Sequence, residues 1–210
     1  MALKTLAIID YGMGNLHSVS KAFAKLNAEN GGEYAIVVTS DPAVIRSAGK
    51  VVLPGVGAFG DCMANLTSYG LIDSIKAVAG SGTPFMGICL GLQLLFDGSE
   101  EAPGVPGLGL LPGMVRKLVA PGLKIPHMGW NNLELRTPSP LFAKLPPAPY
   151  VYFVHSYHAV PDNPAVVTAV TMYGGAVTAA VGSGNVQAVQ FHPEKSSAAG
   201  LAILANFLRS

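Results

Sequence analysis

Apolar positions in the first hundred residues follow two rhythms. Short unbroken runs, Leu6–Ile9, Val51–Leu53 and Phe85–Ile88, have the length and composition of buried strands. Between them apolar residues recur at helical spacing. Val19, Ala22, Phe23 and Leu26 predict one helix, the segment from Asp61 to Val78 another, and Leu90–Phe96 the start of a third. Tyr34–Thr39 is β-branched and strand-like. Asp41-Pro42 opens a short helix, with Asp41 placed to cap it and the proline in its first turn. The glycine turn Tyr11-Gly12-Met13-Gly14 closes the first strand, and Pro54 closes Val51–Leu53. Alternating strands and helices predict an α/β fold: three layers, a mostly parallel central sheet, and helices on both faces.

The pattern changes after Gly107. Met114–Leu118, Tyr150–Val154, Val166–Thr171, Val177–Val181 and Val186–Gln190 are short strand-like runs broken by Pro and Gly. They read as antiparallel additions to the same sheet in the C-terminal half. Pro138–Pro149 reads as a surface loop rather than a linker, because strands continue beyond it. Ser197 to Leu208 closes the chain as a helix. No internal repeat or low-complexity segment interrupts this order, and 210 residues suit one domain spanning 1–210.

Composition narrows the function classes. Charged residues make up 12% of the chain and the net charge is +1, so the basic footprint of a nucleic-acid binder is missing. So little charge leaves room for an apolar surface reserved for a partner protein. No apolar stretch approaches the roughly 20 residues that span a bilayer, which excludes a membrane protein of that type. Leu6–Ile9 ends at Asp10 and is too short for the core of a secretory signal. A cytoplasmic protein with reduced thiols is therefore expected. No His, Cys, Asp and Glu grouping has the spacing of metal ligands, and no cofactor is expected.

Of the two cysteines, Cys89 has the chemical setting. Gly87-Ile88-Cys89-Leu90-Gly91 follows a predicted strand and precedes a predicted helix, the context of a nucleophile elbow. Glycines two residues to either side relieve the crowding of so sharp a bend. The elbow lifts the side chain above the carboxyl end of the sheet, where open α/β folds bind ligands. The helix N-terminus behind it favours a thiolate. Cys62, inside a helical run, reads as packing or surface. Far downstream, Gln190-Phe191-His192-Pro193-Glu194-Lys195-Ser196 follows the last predicted strand. His192 and Glu194 are two apart, so in extended chain they face the same side. A carboxylate beside an imidazole holds its tautomer and stabilises its charged form. Cysteine upstream, then histidine and carboxylate together, is an order fit for an acyl-transfer triad. His127, His155 and His158 read as strand or loop histidines with hydrogen-bonding duties.

Gly87–Gly91 followed by Leu92-Gln93-Leu94-Leu95-Phe96, with His192-Pro193-Glu194 near the end, resembles the class I, or triad, glutamine amidotransferases. The resemblance narrows to the glutaminase subunits of imidazole glycerol phosphate synthases. It is carried by Asp10–Asn15, Pro54–Gly57, Pro126–Asn131, Tyr152–Tyr157 and Phe191–Ser196, in order over essentially the whole chain. It implies that Cys89 attacks the side-chain amide of L-glutamine, that His192 handles the proton, and that Glu194 orients His192. It implies an oxyanion hole from Leu90 and the Pro54–Gly57 loop, through Val56 and Gly57. It places Gly57, Gln93, Ser156 and Tyr157 on the substrate. It implies a (β/α)₈-barrel cyclase partner that consumes the ammonia in histidine biosynthesis, met by Asn15, Met128, Trp130, Tyr152 and Lys195. Three other readings compete. One is an amidotransferase serving anthranilate, aminodeoxychorismate or pyridoxal phosphate synthesis. Another is a stand-alone thiol hydrolase, and the third a binding subunit without catalysis. The Pro126–Asn131 and Asp10–Asn15 segments argue against the first, and an intact triad against the last.

Overall fold

The structure, a computed structural model, describes residues 3–210. The first half runs β1 (Lys4–Ile9), α1 (Leu16–Glu29), β2 (Tyr34–Thr39), α2 (Pro42–Ser47), β3 (Lys50–Gly55), α3 (Phe59–Ser68), α4 (Ile72–Gly80), β4 (Phe85–Cys89) and α5 (Leu90–Gln93). The second half runs β5 (Gly98–Ser99), β6 (Gly113–Lys117), β7 (His127–Asn132), β8 (Glu134–Leu135), β9 (Tyr150–His155) and β10 (Tyr157–Pro161). It ends with β11 (Val167–Met172), β12 (Ala176–Ser183), β13 (Val186–Val189) and α6 (Ser197–Arg209).

Eight strands form the central sheet in the order β2-β1-β3-β4-β13-β12-β11-β8. The five from β2 to β13 are mutually parallel, and β12, β11 and β8 continue antiparallel. The period-2 alternation of a strand sends its residues to two separate cores. Ala7 and Ile9 of β1 pack with Ile45, Phe59, Leu66 and Ile75 from α2, α3 and α4. Leu6 and Ile8 pack with Val19 and Phe23 of α1 and with Ile203, Leu204 and Phe207 of α6. Helices therefore cover both faces, and burying each of the larger side chains contributes about 1.5–3 kcal/mol.

Several expectations need correction. The strands predicted at Met114–Leu118 and Tyr150–Val154 do not join the central sheet. β6 pairs with β10 and β5 in a three-stranded sheet, and β9 pairs with β7 in a two-stranded one. An apolar run marks a strand but does not name its partner. The single helix expected from Asp61 to Val78 is two helices. Gly70, at φ +66°, and a bond from Leu71 N–H back to Leu66 O make a left-handed stop between them. The helix expected over Leu90–Phe96 is regular only to Gln93. The Pro138–Pro149 stretch is anchored rather than a bare surface loop: Leu141 and Phe142 are buried, and Asn206 of α6 donates to the carbonyls of Leu141 and Ala143. Among the described residues, no helix is long and apolar enough to cross a membrane.

Candidate active site

The elbow forms where β4 runs into α5. Cys89 sits at φ 55° and ψ −111°, a conformation that ordinary residues avoid and that marks stored strain. The flanking glycines have steric reasons to be there. A Cβ on Gly87 would lie 2.8 Å from Gly91 O, and a Cβ on Gly91 would lie 1.9 Å from Leu53 O. The helix can start so abruptly only because α5 packs backbone to backbone against β3. Leu90, the first residue of α5, has no intrahelical acceptor for its N–H, which leaves that donor available beside the thiol.

β13 and the turn after it bring in the other two groups. Phe191 is buried, and His192 N–H donates to Tyr152 O at 2.9 Å. Pro193–Lys195 form one turn of 3-10 helix, closed by Ser196, whose hydroxyl donates to His192 O and accepts from Tyr152 N–H. His192 Nδ1 lies 2.9 Å from Glu194 Oε1, and both side chains are almost entirely buried. Burial alone would lower the His192 pKa. Hydrogen bonds to Cys89 and Glu194 and their negative charges outweigh it and hold the imidazole up at about 10. With Nδ1 committed to Glu194, Nε2 is the nitrogen left for the thiol. Glu194 Oε1 also accepts from Asn15 Nδ2 at 3.2 Å, while Glu194 Oε2 is buried without a hydrogen-bond partner among the described residues.

Cys89 and His192 open onto a cavity of about 230 Å³. Its walls include Val56, Gly57, Leu90, Gln93, Ser156 and Tyr157, which are the predicted oxyanion and substrate positions. It is smaller than the about 300–1,000 Å³ of pockets for drug-sized ligands and suits a compact substrate. Gly57 has φ +97°, so the loop leaving β3 bends there in a way that favours glycine. Gln93 Nε2 donates inward, to Tyr157 O and to Gln190 Oε1, and Gln190 Nε2 lies 3.9 Å from Cys89 Sγ. The expected partner-facing residues lie on neighbouring segments. Met128 and Trp130 of β7 are largely exposed, Lys195 is exposed, and Trp130 meets Tyr152 of β9 edge to face at 6.2 Å. Asn15 is half-buried against the triad.

Part of this site carries no mark in the local sequence. Glu101 lines the cavity and accepts from Phe59 N–H at 2.8 Å at the start of α3. No local pattern marks it, because a loop fold brings it there. Gln190 was findable, since it shares the alternation of His192 two residues on. The histidines form a pair rather than acting singly. His155 Nδ1 lies 2.8 Å from Tyr157 O, which only accepts, so His155 donates there and its Nε2 accepts from His127 Nδ1 at 3.0 Å. The His127 ring is stacked between Phe153 and Tyr173. Burial pushes His127 down to about 4 and His155 down to about 3, so both are neutral at physiological pH. His158, half-buried, takes no part in this pair, and its pKa is lowered by desolvation. Cys62, expected to be packing or surface, is fully buried in α3.

A thiol on a strained elbow, an imidazole held charged by a buried carboxylate, and a free helix N–H together suit acyl transfer. Known proteins agree with this chemistry. The family profile for class-I glutamine amidotransferases matches residues 7–210. An imidazole glycerol phosphate synthase subunit HisH from Moorella thermoacetica is 52% identical over 205 residues, covering 98% of this chain and 94% of that one. The HisH subunit from Syntrophotalea carbinolica is 51% identical over 210 residues, covering 96% and 98%. The crystal structure of a glutamine amidotransferase from Thermotoga maritima superposes with a TM-score of 0.61 at 17% identity, covering 92% of this chain and 77% of that one, a likeness of fold. The chain belongs to the class-I glutamine amidotransferase family, in the branch of the imidazole glycerol phosphate synthase HisH subunits.

Proposed function

We propose that the chain is the glutaminase subunit of an imidazole glycerol phosphate synthase. Cys89 Sγ attacks the side-chain amide carbon of L-glutamine. The oxyanion of the tetrahedral adduct is received by Leu90 N–H and by a backbone N–H of the Val56–Gly57 segment. His192 Nε2 gives its proton to the departing nitrogen, which leaves as ammonia, and a γ-glutamyl thioester remains on Cys89. His192 then takes a proton from water. The water attacks the thioester, and glutamate departs as the thiol is restored. Glu194 keeps Nδ1 of His192 protonated throughout. Gly57, Gln93, Ser156 and Tyr157 line the glutamine pocket, and the Glu101 carboxylate offers a counter-charge for an α-ammonium group. What supports the reading is that Cys89 and His192 line one cavity of about 230 Å³ while His192 Nδ1 lies 2.9 Å from Glu194.

Ammonia released into neutral water becomes ammonium and loses its nucleophilicity, so a glutaminase that feeds a synthesis needs a dry path to a second site. The proposed partner is a (β/α)₈-barrel cyclase docked over Asn15, Met128, Trp130, Tyr152 and Lys195. Two contacts favour that face: Asn15 holds the catalytic carboxylate, and Tyr152 O holds the His192 backbone. The test is glutamate release by the chain alone, with the cyclase, and with the cyclase and its ligand. Slow turnover alone and fast turnover in the liganded complex is expected. Equal rates in all three would defeat the idea that the partner switches the site on.

A further inference from the structure

The Pro54–Gly57 segment is gripped from behind by two side chains outside the triad. Tyr11, two residues beyond β1, is fully buried, and its hydroxyl donates to Pro54 O at 2.9 Å. Cys62 of α3, also fully buried, places Sγ 3.5 Å from Val56 O and 3.6 Å from the Tyr11 hydroxyl. Each side chain carries one hydrogen. Tyr11 spends its hydrogen at the shorter contact, Pro54 O, so the Cys62 hydrogen is free for Val56 O. A trans peptide is planar, and its C=O and N–H point in opposite directions. Fixing the Pro54 carbonyl therefore fixes the direction of Gly55 N–H, and fixing the Val56 carbonyl fixes that of Gly57 N–H.

The grip leaves little slack. Gly55 lies beside Cys89 in the β3–β4 register, and a Cβ on it would sit 2.8 Å from the Tyr11 hydroxyl and 2.9 Å from Gly91 N. Both donors also stay protonated at working pH: burial pushes the Tyr11 phenol far above its usual range and the Cys62 thiol up to about 11. The triad chemistry uses neither group.

We propose that Tyr11 and Cys62 are positioning residues: Tyr11 holds the Pro54–Gly55 peptide and Cys62 the Val56–Gly57 peptide, and together they set the direction of the backbone that receives the oxyanion. The inference rests on the glutaminase reading above. It is tested with Tyr11→Phe, Cys62→Ala and Cys62→Ser, each assayed for glutamine hydrolysis with the partner subunit present. Loss of a whole oxyanion donor costs about 10²–10³-fold in rate, so loosening one should cost about tenfold in kcat for Tyr11→Phe and a few-fold for Cys62→Ala, with KM little changed. Cys62→Ser keeps a donor and should recover most of the loss. Alkylation of Cys89 by iodoacetamide forms no oxyanion, so its rate should be the same in all variants.

Wild-type kcat in both Tyr11→Phe and Cys62→Ala overturns the proposal. So does a parallel fall in alkylation rate, or a loss that Cys62→Ser shares in full, because either would mean general disruption. Absence of turnover in the wild-type complex overturns the glutaminase reading and this one together. Active wild type with indifferent variants overturns this one alone.

Discussion

Replacing Glu194 by Gln keeps the shape of the side chain and removes its charge. The magnitude follows from the buried pair. Two unit charges 2.9 Å apart attract by at most about 6 kcal/mol at an effective dielectric near 20. A second route gives a similar scale: holding an imidazole at about 10 instead of 6.5 is worth roughly 5 kcal/mol. Cys89 and Glu194 share that preference, so Glu194 accounts for roughly 2–3 kcal/mol. The expected fall in kcat/KM for Glu194→Gln is therefore about 30–150-fold. His192→Asn removes the proton carrier itself and should cost more, within the about 10²–10⁴-fold range of a lost general base. The assay is glutamate release in the presence of the partner subunit, from pH 6 to 10. Without the carboxylate the imidazole loses its proton earlier, so the alkaline limb of the Glu194→Gln profile should move to lower pH. The reasoning fails if Glu194→Gln is the more damaging of the two, or if its alkaline limb stays in place.

Acid should weaken the fold through the histidine pair. His127 and His155 are depressed to about 4 and about 3. Between pH 6.5 and those values the unfolded chain takes up protons that the folded chain refuses. Stability that is complete above pH 6.5 then falls by up to about 1.4 kcal/mol per pH unit for each histidine. Urea midpoints at pH 7.5, 5.5 and 4.5 should show that slope, and His127→Asn with His155→Asn should flatten it; an unchanged slope would count against the pair. His192 acts in the opposite sense, since its raised pKa gives a contribution that is full below pH 6.5 and is lost as pH rises through about 10. Gly91→Ala should exceed the about 1–3 kcal/mol of ordinary overpacking, because its Cβ lands 1.9 Å from Leu53 O. Gly80→Ala, at the end of α4 with nothing within 4 Å, should be neutral or slightly stabilising. Thermal melting of the two variants distinguishes them, and similar melting temperatures would contradict the packing argument.

Local chemistry explains which parts of the fold were readable in advance. β2 was legible residue for residue because Tyr34–Thr39 is strand-forming and bounded by turn formers. The Asp41 cap was legible because an aspartate before a first-turn proline has one favoured use, and its carboxylate does accept from Ala43 N–H. The elbow was legible because its glycines encode close backbone approach. What the sequence hid depends on partners distant along the chain. Nothing within β6 or β9 tells that they leave the central sheet, and nothing around Glu101 tells that its loop reaches the cavity. Cys62 read as packing or surface because its contacts, to Val56 O and the Tyr11 hydroxyl, depend on how α3 packs behind the loop. The Gly70 break lay within a helical pattern strong enough to read straight through.

The central claim is that Cys89 is the nucleophile, and the most direct measurement is glutamate release from L-glutamine by Cys89→Ala with the partner subunit present. That rate should fall by at least about 10³-fold while the variant still folds and still binds its partner. Glutamate release near the wild-type rate would contradict it.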